Sequence, residues 1–277
     1  MFAIGKRFLL ICLVVGIGVA GDRAAAQVSD SNFPDAPSAV SLHPVRPDDP
    51  ASERRVSWRS LPKDFLHDQK GIWLFPAQLA KGKHWIPAVT ITGVTAGLIV
   101  GDPYAMPYFG NHARNIDDVN DVFDSSISAA EIIALPASLL AVGYARHDDY
   151  QVGTALLAGE AYGDATVVDL VMKAITRRKR PSDVPPGGSY NDTFFSGSKS
   201  PFKGSSFPSG HAVGAFSVAT IVANRYHNHR WAPVLLYGFA TAVSFSRITT
   251  RAHFPSDVFL GAALGYTIAK YQVLAPH

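Results

Sequence analysis

Six apolar segments restrict what this chain can fold into. They run over about 85–101, 126–146, 151–176, 210–226, 231–248 and 256–273, are rich in Ala, Leu, Val and Gly, and are divided by charged or Pro/Gly-containing loops. All are far longer than the usual strand of about 5–6 residues, so they predict six helices and no sheet, an all-α bundle. The 277 residues are 47% hydrophobic and only 17% charged. That is too apolar for a disordered chain and below the charged content of about 25% usual in soluble domains. A single cysteine excludes an internal disulfide scaffold. A net charge of +3 lacks the strongly basic character of a nucleic-acid binder, so no nucleic acid is expected as a partner.

The start of the chain speaks to compartment. Lys6 and Arg7 precede an apolar run from Phe8 to about Ala20, and small residues follow up to Ala24-Ala25-Ala26. This three-part pattern predicts a signal peptide over residues 1–26 and export to the cell envelope. The apolar run, roughly 13 residues, is shorter than the ~20 a membrane span needs. The only cysteine, Cys12, lies in this leader. Lys6, Arg7 and Arg23 against Asp22 give the leader a net +2, which leaves +1 of the chain's +3 on the mature part. From Gln27 to about Ser60, Pro34, Pro37, Pro44, Pro47 and Pro50 punctuate a polar stretch that predicts an extended linker. A short amphipathic piece follows around Phe65 to Leu79. Domain boundaries are therefore expected at 1–26, 27–80 and 81–277, the last carrying the chemistry.

Three motifs carry that chemistry. The third segment ends Lys173-Ala-Ile-Thr-Arg177-Arg178-Lys179-Arg180-Pro181. Continued as a helix closed by Pro181, this spacing puts Lys173 and Arg180 nearly on one face. Basic residues at a helix C-terminus also simply oppose the helix dipole. Next, Phe207-Pro208-Ser209-Gly210-His211 opens the fourth segment. Ser209 and Gly210 at a helix start offer unpaired backbone N–H groups and close approach to an anion, with His211 beside them as an acid–base group. The plainer reading is a capped helix with an exposed His. Last comes Ser246-Arg247, then His253-Phe-Pro-Ser-Asp257. Pro255 suits a first helical turn, and a carboxylate at 257 can hold one histidine nitrogen and leave the other nucleophilic. Asp257 could also be only a favourable first-turn charge, although that leaves Arg247 and His253 unexplained.

Together these residues resemble the type 2 phosphatidic acid phosphatase / vanadium-dependent haloperoxidase superfamily, whose pattern is Lys-x6-Arg-Pro, Pro-Ser-Gly-His and Ser-Arg-x5-His-x3-Asp. Every position is present in order, and the likeness extends over roughly 85–273. The resemblance implies a six-helix bundle of that type. It implies catalytic roles for His253 as nucleophile forming a phosphohistidine, Asp257 as its orienting group, and His211 as proton donor and then base. It implies phosphate binding by Lys173, Arg180, Ser209, Gly210 and Arg247. Three fixed cations can do the work of a metal ion in phosphoryl transfer, so no metal and no cofactor is expected. The expected partner is a phosphorylated small molecule or lipid. A vanadate-dependent haloperoxidase is the rival enzyme and would require vanadate; a non-catalytic envelope protein is the third reading. The Asp257-Val-Phe-Leu-Gly-Ala-Ala-Leu-Gly run looks more like the lipid-phosphatase branch.

Several other residues invite a functional reading. Asp169 precedes Lys173 by one helical turn and can pair with it. Glu160 and Asp164 share a face that should point inward or to water. Asp117, Asp118, Asp121 and Asp124 lack the Gly and terminal Glu of a calcium loop. His227 and His229 belong to the end opposite the motifs. Trp85, Tyr104, Tyr144, Tyr150, Tyr226 and Trp231 gather near helix ends as an interfacial belt would, which leads us to expect membrane association on the periplasmic side. An exported leader plus six spans would turn the motifs inward, so either the bundle rests beside the membrane or a further crossing lies near Trp73.

Overall fold

The computed structural model describes residues 54–112, 125–197 and 205–275, and every regular element among them is helical. The predicted leader with Cys12, most of the linker, and Asp117, Asp118, Asp121 and Asp124 lie outside the described residues. Two short helices, α1 (Leu61–Trp73) and α2 (Phe75–Ala80), precede six long ones. These are α3 (Trp85–His112), α4 (Ser125–Arg146), α5 (Asp149–Thr176), α6 (Gly210–Arg225), α7 (Trp231–Thr249) and α8 (Pro255–Ile268), the last running on into a wider π-helical turn over Ala269–Val273. The six predicted helices are α3 to α8.

Local chemistry explains the ends that matter. Asp148 caps α5, its carboxylate accepting from Tyr150 N at 3.0 Å and Gln151 N at 3.1 Å. At the other end α5 stops at Thr176, where Arg177 takes a left-handed φ of 41°. The helix therefore does not continue to Pro181. Arg178, Lys179 and Arg180 lie outside it, Arg180 in extended backbone, and Pro181 instead opens a single 3-10 turn, Pro181–Asp183. The reason lies across the bundle, where the Arg178 side chain finds buried partners that helical geometry would deny it.

α6 is the hub, packing against α5, α7 and α8. Its Val218, Ile221 and Val222 meet Leu135 and Leu139 of α4, Ala158 and Ala161 of α5, and Leu236, Ala240 and Val243 of α7. The α6–α8 crossing is closer than side chains permit. A Cβ on Gly261 would lie 2.6 Å from the Ser209 carbonyl oxygen, and one on Gly265 would collide with the Val213 carbonyl. Only glycine fits where two backbones touch.

α3 and α4 are different. The stretches Trp85–Gly110 and Ala129–Arg146 are long and apolar enough to cross a membrane. α3 packs mainly on α8 and leaves Val89, Val94, Val100 and Tyr104 exposed. On the opposite flank, Arg54 pins the chain ahead of α1 to the bundle. Its guanidinium donates to Glu160 Oε1 at 2.8 Å and to the Val273 carbonyl at 2.6 Å, with Asp64 and Asp68 at 3.3 and 3.5 Å. Gln69 Nε2 donates to Asp164 Oδ1 at 2.8 Å. The shared face of Glu160 and Asp164 thus points inward, at α1. Burial pushes both carboxyls up to about 7.

Candidate active site

The motif residues come from four helix ends that meet at one end of the bundle: the C-termini of α5 and α7 and the N-termini of α6 and α8. Backbone hydrogen bonds join these ends into one platform. The Arg247 carbonyl accepts from His253 N at 3.0 Å, Ser209 N donates to the Asp257 carbonyl at 2.9 Å, and Ser206 N donates to the Arg178 carbonyl at 2.8 Å. Arg251, with a left-handed φ of 58°, turns the α7–α8 loop back. Its guanidinium reaches the Pro181 carbonyl at 3.2 Å, and its own carbonyl accepts from Ser182 N at 2.9 Å.

His253 lies just before α8 and is buried. Its Nδ1 is 2.7 Å from the Ser206 carbonyl oxygen and 3.6 Å from Asp257 Oδ2. The first is a hydrogen bond and the second an ion-pair distance. Asp257, at the third position of α8, instead accepts on Oδ2 from Phe254 N at 2.8 Å and from the Ser206 hydroxyl, and on Oδ1 from Arg178 Nη1 at 2.6 Å. Burial pushes the His253 imidazole below its ordinary value; Asp257 opposes this, while Lys173 and Arg180 add to it.

Lys173 pairs with Asp169 at 2.7 Å, the helical ion pair expected from spacing. Burial raises the Asp169 carboxyl and Lys173 counteracts it. A Cβ on Gly210 would come within 2.9 Å of Lys173 Nζ, so this glycine lets the ammonium lie against the first turn of α6. Ser209 is that helix's N-cap, yet its side chain makes no capping bond. Its buried Oγ, like Arg180 Nε, has no hydrogen-bond partner among the described residues. His211 follows Gly210 in the same turn. Arg247 is buried in the last turn of α7, with Nε and Nη2 at 3.1 and 2.9 Å from Ser246 Oγ. His227 is exposed at the far end of α6, away from the cluster, and His229 lies in the same loop.

Four participants are absent from the sequence reading: Ser206, Arg178, Asp102 and Ser256. Arg178 is 1% exposed, the most deeply buried of the four cations in Arg177-Arg178-Lys179-Arg180. Asp102 was a usable signal, a lone carboxylate ending an apolar run.

Chemically, the arrangement is an anion cradle beside a buried imidazole. It offers cations at Lys173 and Arg180, unpaired polar atoms at Ser209 and Arg180, and the first-turn backbone of α6.

Comparison with known proteins agrees with the motifs. Residues 153–276 match the family model of the PAP2 superfamily. A lipid A 1-phosphatase of Porphyromonas gingivalis is 38% identical over 66 residues, which are 24% of this chain and 15% of that protein. The chain therefore matches only a small part of that curated relative's length. A solved structure, described as the first transmembrane PAP2 type phosphatidylglycerolphosphate phosphatase from Bacillus subtilis, is similar over 73% of this chain and 92% of its own. It is 19% identical, with a TM-score of 0.37.

Proposed function

We propose that the chain, whose residues 153–276 match the PAP2 superfamily model, is a metal-independent phosphatase of phosphomonoesters or diphosphates, with lipid phosphates as the substrate class. The observation that carries this is the open cradle: among the described residues Ser209 Oγ and Arg180 Nε are buried without partners, and Gly210, next to Ser209, lies against the Lys173 ammonium. Unsatisfied buried polar atoms are costly, and a phosphoryl group would satisfy both. The sequence relative that is a lipid A 1-phosphatase supports ester hydrolysis over halide oxidation.

In the proposed reaction, Lys173, Arg180 and Arg247 hold the phosphoryl oxygens, with Ser209 Oγ and the Gly210 N–H adding hydrogen bonds. His253 Nε2 attacks phosphorus, the P–O bond to the leaving group breaks, and His211 protonates the departing oxygen. A water, deprotonated by His211, then cleaves the P–N bond and releases phosphate. The Ser206 carbonyl holds the Nδ1 proton throughout, and Asp257 stabilises the positive charge that develops on the ring. The exposed apolar surfaces of α3 and α4 support membrane association, and the leader pattern supports a periplasmic setting.

The purified chain should release phosphate from aryl and lipid phosphates, retain activity in chelator, and be inhibited by orthovanadate. His253→Ala should lose at least about 10³-fold in kcat, while His227→Ala should not change it. Hydrolysis unaffected by His253→Ala overturns the mechanism, and peroxide-dependent halide oxidation after vanadate loading supports the peroxidase instead. Carbonate extraction of membranes tests the association.

A further inference from the structure

The proposed reaction leaves one buried guanidinium without a task. Arg178 Nη1 donates to Asp257 Oδ1 at 2.6 Å and to Ser256 Oγ at 2.7 Å, Nη2 donates to Asp102 Oδ2 at 2.7 Å, and Nε donates to Thr193 Oγ1 at 3.1 Å. The rings of Phe254 and Phe194 cover it at 3.9 and 4.4 Å. Ser256 closes the circuit, its Oγ donating to Asp102 Oδ2 at 2.5 Å and its N to Asp102 Oδ1 at 3.2 Å. Buried ion pairs are poor stabilisers compared with apolar packing of the same volume. Asp102 also stands in α3, an otherwise apolar helix where a carboxylate is expensive. Stability alone is therefore a weak reason for this arrangement, while geometry is a strong one. The guanidinium is a planar fork that can bridge two carboxylates at once, and one of them is Asp257.

We propose that Arg178 and Asp102 are positioning residues for the phosphoryl transfer: Asp102, contributed by α3, aims the Arg178 fork so that it fixes Asp257 beside His253, which makes the apolar helix α3 part of the catalytic apparatus. The proposal rests on the phosphatase reading above. Its electrostatic consequence has a sign. Arg178 divides one positive charge between two anions. Neutralising Asp102 leaves more of that charge facing the His253 imidazolium and disfavours protonation. Neutralising Arg178 leaves Asp102 and Asp257 as uncompensated anions and favours protonation. The other charged and titratable groups of the site are untouched by these substitutions: Asp169 and Lys173 of α5, Arg180 beyond it, His211 of α6, Arg247 of α7 and Asp257 of α8.

The test uses the full chain in detergent as wild type, Asp102→Asn, Arg178→Gln, the double variant and Arg178→Lys. It reads kcat and KM against pH, and His253 protonation by ¹⁵N NMR of histidine-labelled protein. Each single neutral variant should lose on the order of 10- to 100-fold in kcat, with KM within about threefold of wild type. The acid limb of kcat should move down in pH for Asp102→Asn and up for Arg178→Gln, each by ~0.5 unit, with the double variant between them. The NMR titration of His253 should shift in the same two directions. Arg178→Lys, a cation without the fork, should fail to restore kcat.

Losses in kcat with an unmoved or same-direction limb overturn the proposal, and so does full activity in Arg178→Lys. If Arg178→Gln does not fold, Asp102→Asn and Arg178→Lys still decide it. If the wild type hydrolyses no phosphate ester, the phosphatase reading fails. The NMR shifts then judge the positioning separately: opposite shifts uphold it and unmoved ones overturn it.

Discussion

The carbonyl oxygen of Ser206 lies 2.7 Å from Nδ1 of His253. A carbonyl can only accept, so Nδ1 carries the proton and Nε2 presents its lone pair. The backbone therefore sets the tautomer that the proposed nucleophilic attack requires, and Asp257, at 3.6 Å, acts on the ring as a charge.

The first prediction follows directly. Nitrogen-15 spectra of the neutral His253 ring should show Nδ1 protonated and Nε2 bare, and Asp257→Asn should keep that tautomer. A ring protonated on Nε2 in the wild type contradicts the assignment.

The second concerns pH. His253 is held below its ordinary value of 6.5 by burial, with Lys173 and Arg180 adding to the effect against Asp257. A nucleophile must be neutral, so lowering this group extends activity to more acid solution. The acid limb of kcat/KM, which reports the free enzyme, is expected below pH 6.5. A limb at or above that value would count against His253 as the nucleophile.

A third prediction tests the α6–α8 contact. Gly265→Ala forces a Cβ into the Val213 carbonyl, and overpacking of this kind costs about 1–3 kcal/mol. A lowered thermal midpoint is the expected result. Gly261→Ala pushes on the Ser209 carbonyl at 2.6 Å, so it should also reduce kcat, because Ser209 belongs to the cradle. Unchanged midpoints in both variants would show that the helices separate freely.

The fourth concerns the acid group under α1. Asp164 rises from 3.8 to about 7 on folding, through burial first, with the Asp68 and Glu160 charges adding and Gln69 and Arg54 opposing. A carboxyl that binds its proton more tightly when folded contributes stability below its unfolded value, and that contribution is lost as pH rises through the folded one. Asp164→Asn cannot ionise, and its amide oxygen can still accept from Gln69. Its thermal midpoint should exceed that of wild type at pH 8, with the gap closing towards pH 4. A gap that is constant across this range would exclude ionisation of Asp164 as its source.

The legibility of this chain divides by the range of the interactions. Helices α3 to α8 were visible because their length and apolar content are local properties. The motif residues were visible because spacing carries them. The end of α5 departs from its sequence pattern for the same reason: a run of four cations before a proline looks like a helix terminus, but Arg178 breaks away to meet Asp102 and Ser256, 76 and 78 residues distant. Nothing local distinguishes Arg178 from Arg177 or Lys179. Likewise, Glu160 and Asp164 could be put on one face, but Arg54 and Gln69 reach them from about a hundred residues away. The Ser206 carbonyl is invisible in principle, since a backbone acceptor has no residue type.

The glycine contact between α6 and α8 has a mechanical meaning. With Gly261 against the Ser209 carbonyl and Gly265 against that of Val213, two backbones bear on each other with no flexible side chain between them. A seam without slack transmits displacement instead of absorbing it. His211 rides on one helix while Asp257, with His253 just before it, rides on the other, so the proposed proton donor and nucleophile belong to a single rigid part. The end of α5 is tied to the same part, since Ser206 N, just ahead of α6, donates to the Arg178 carbonyl and the Arg178 guanidinium holds Asp257.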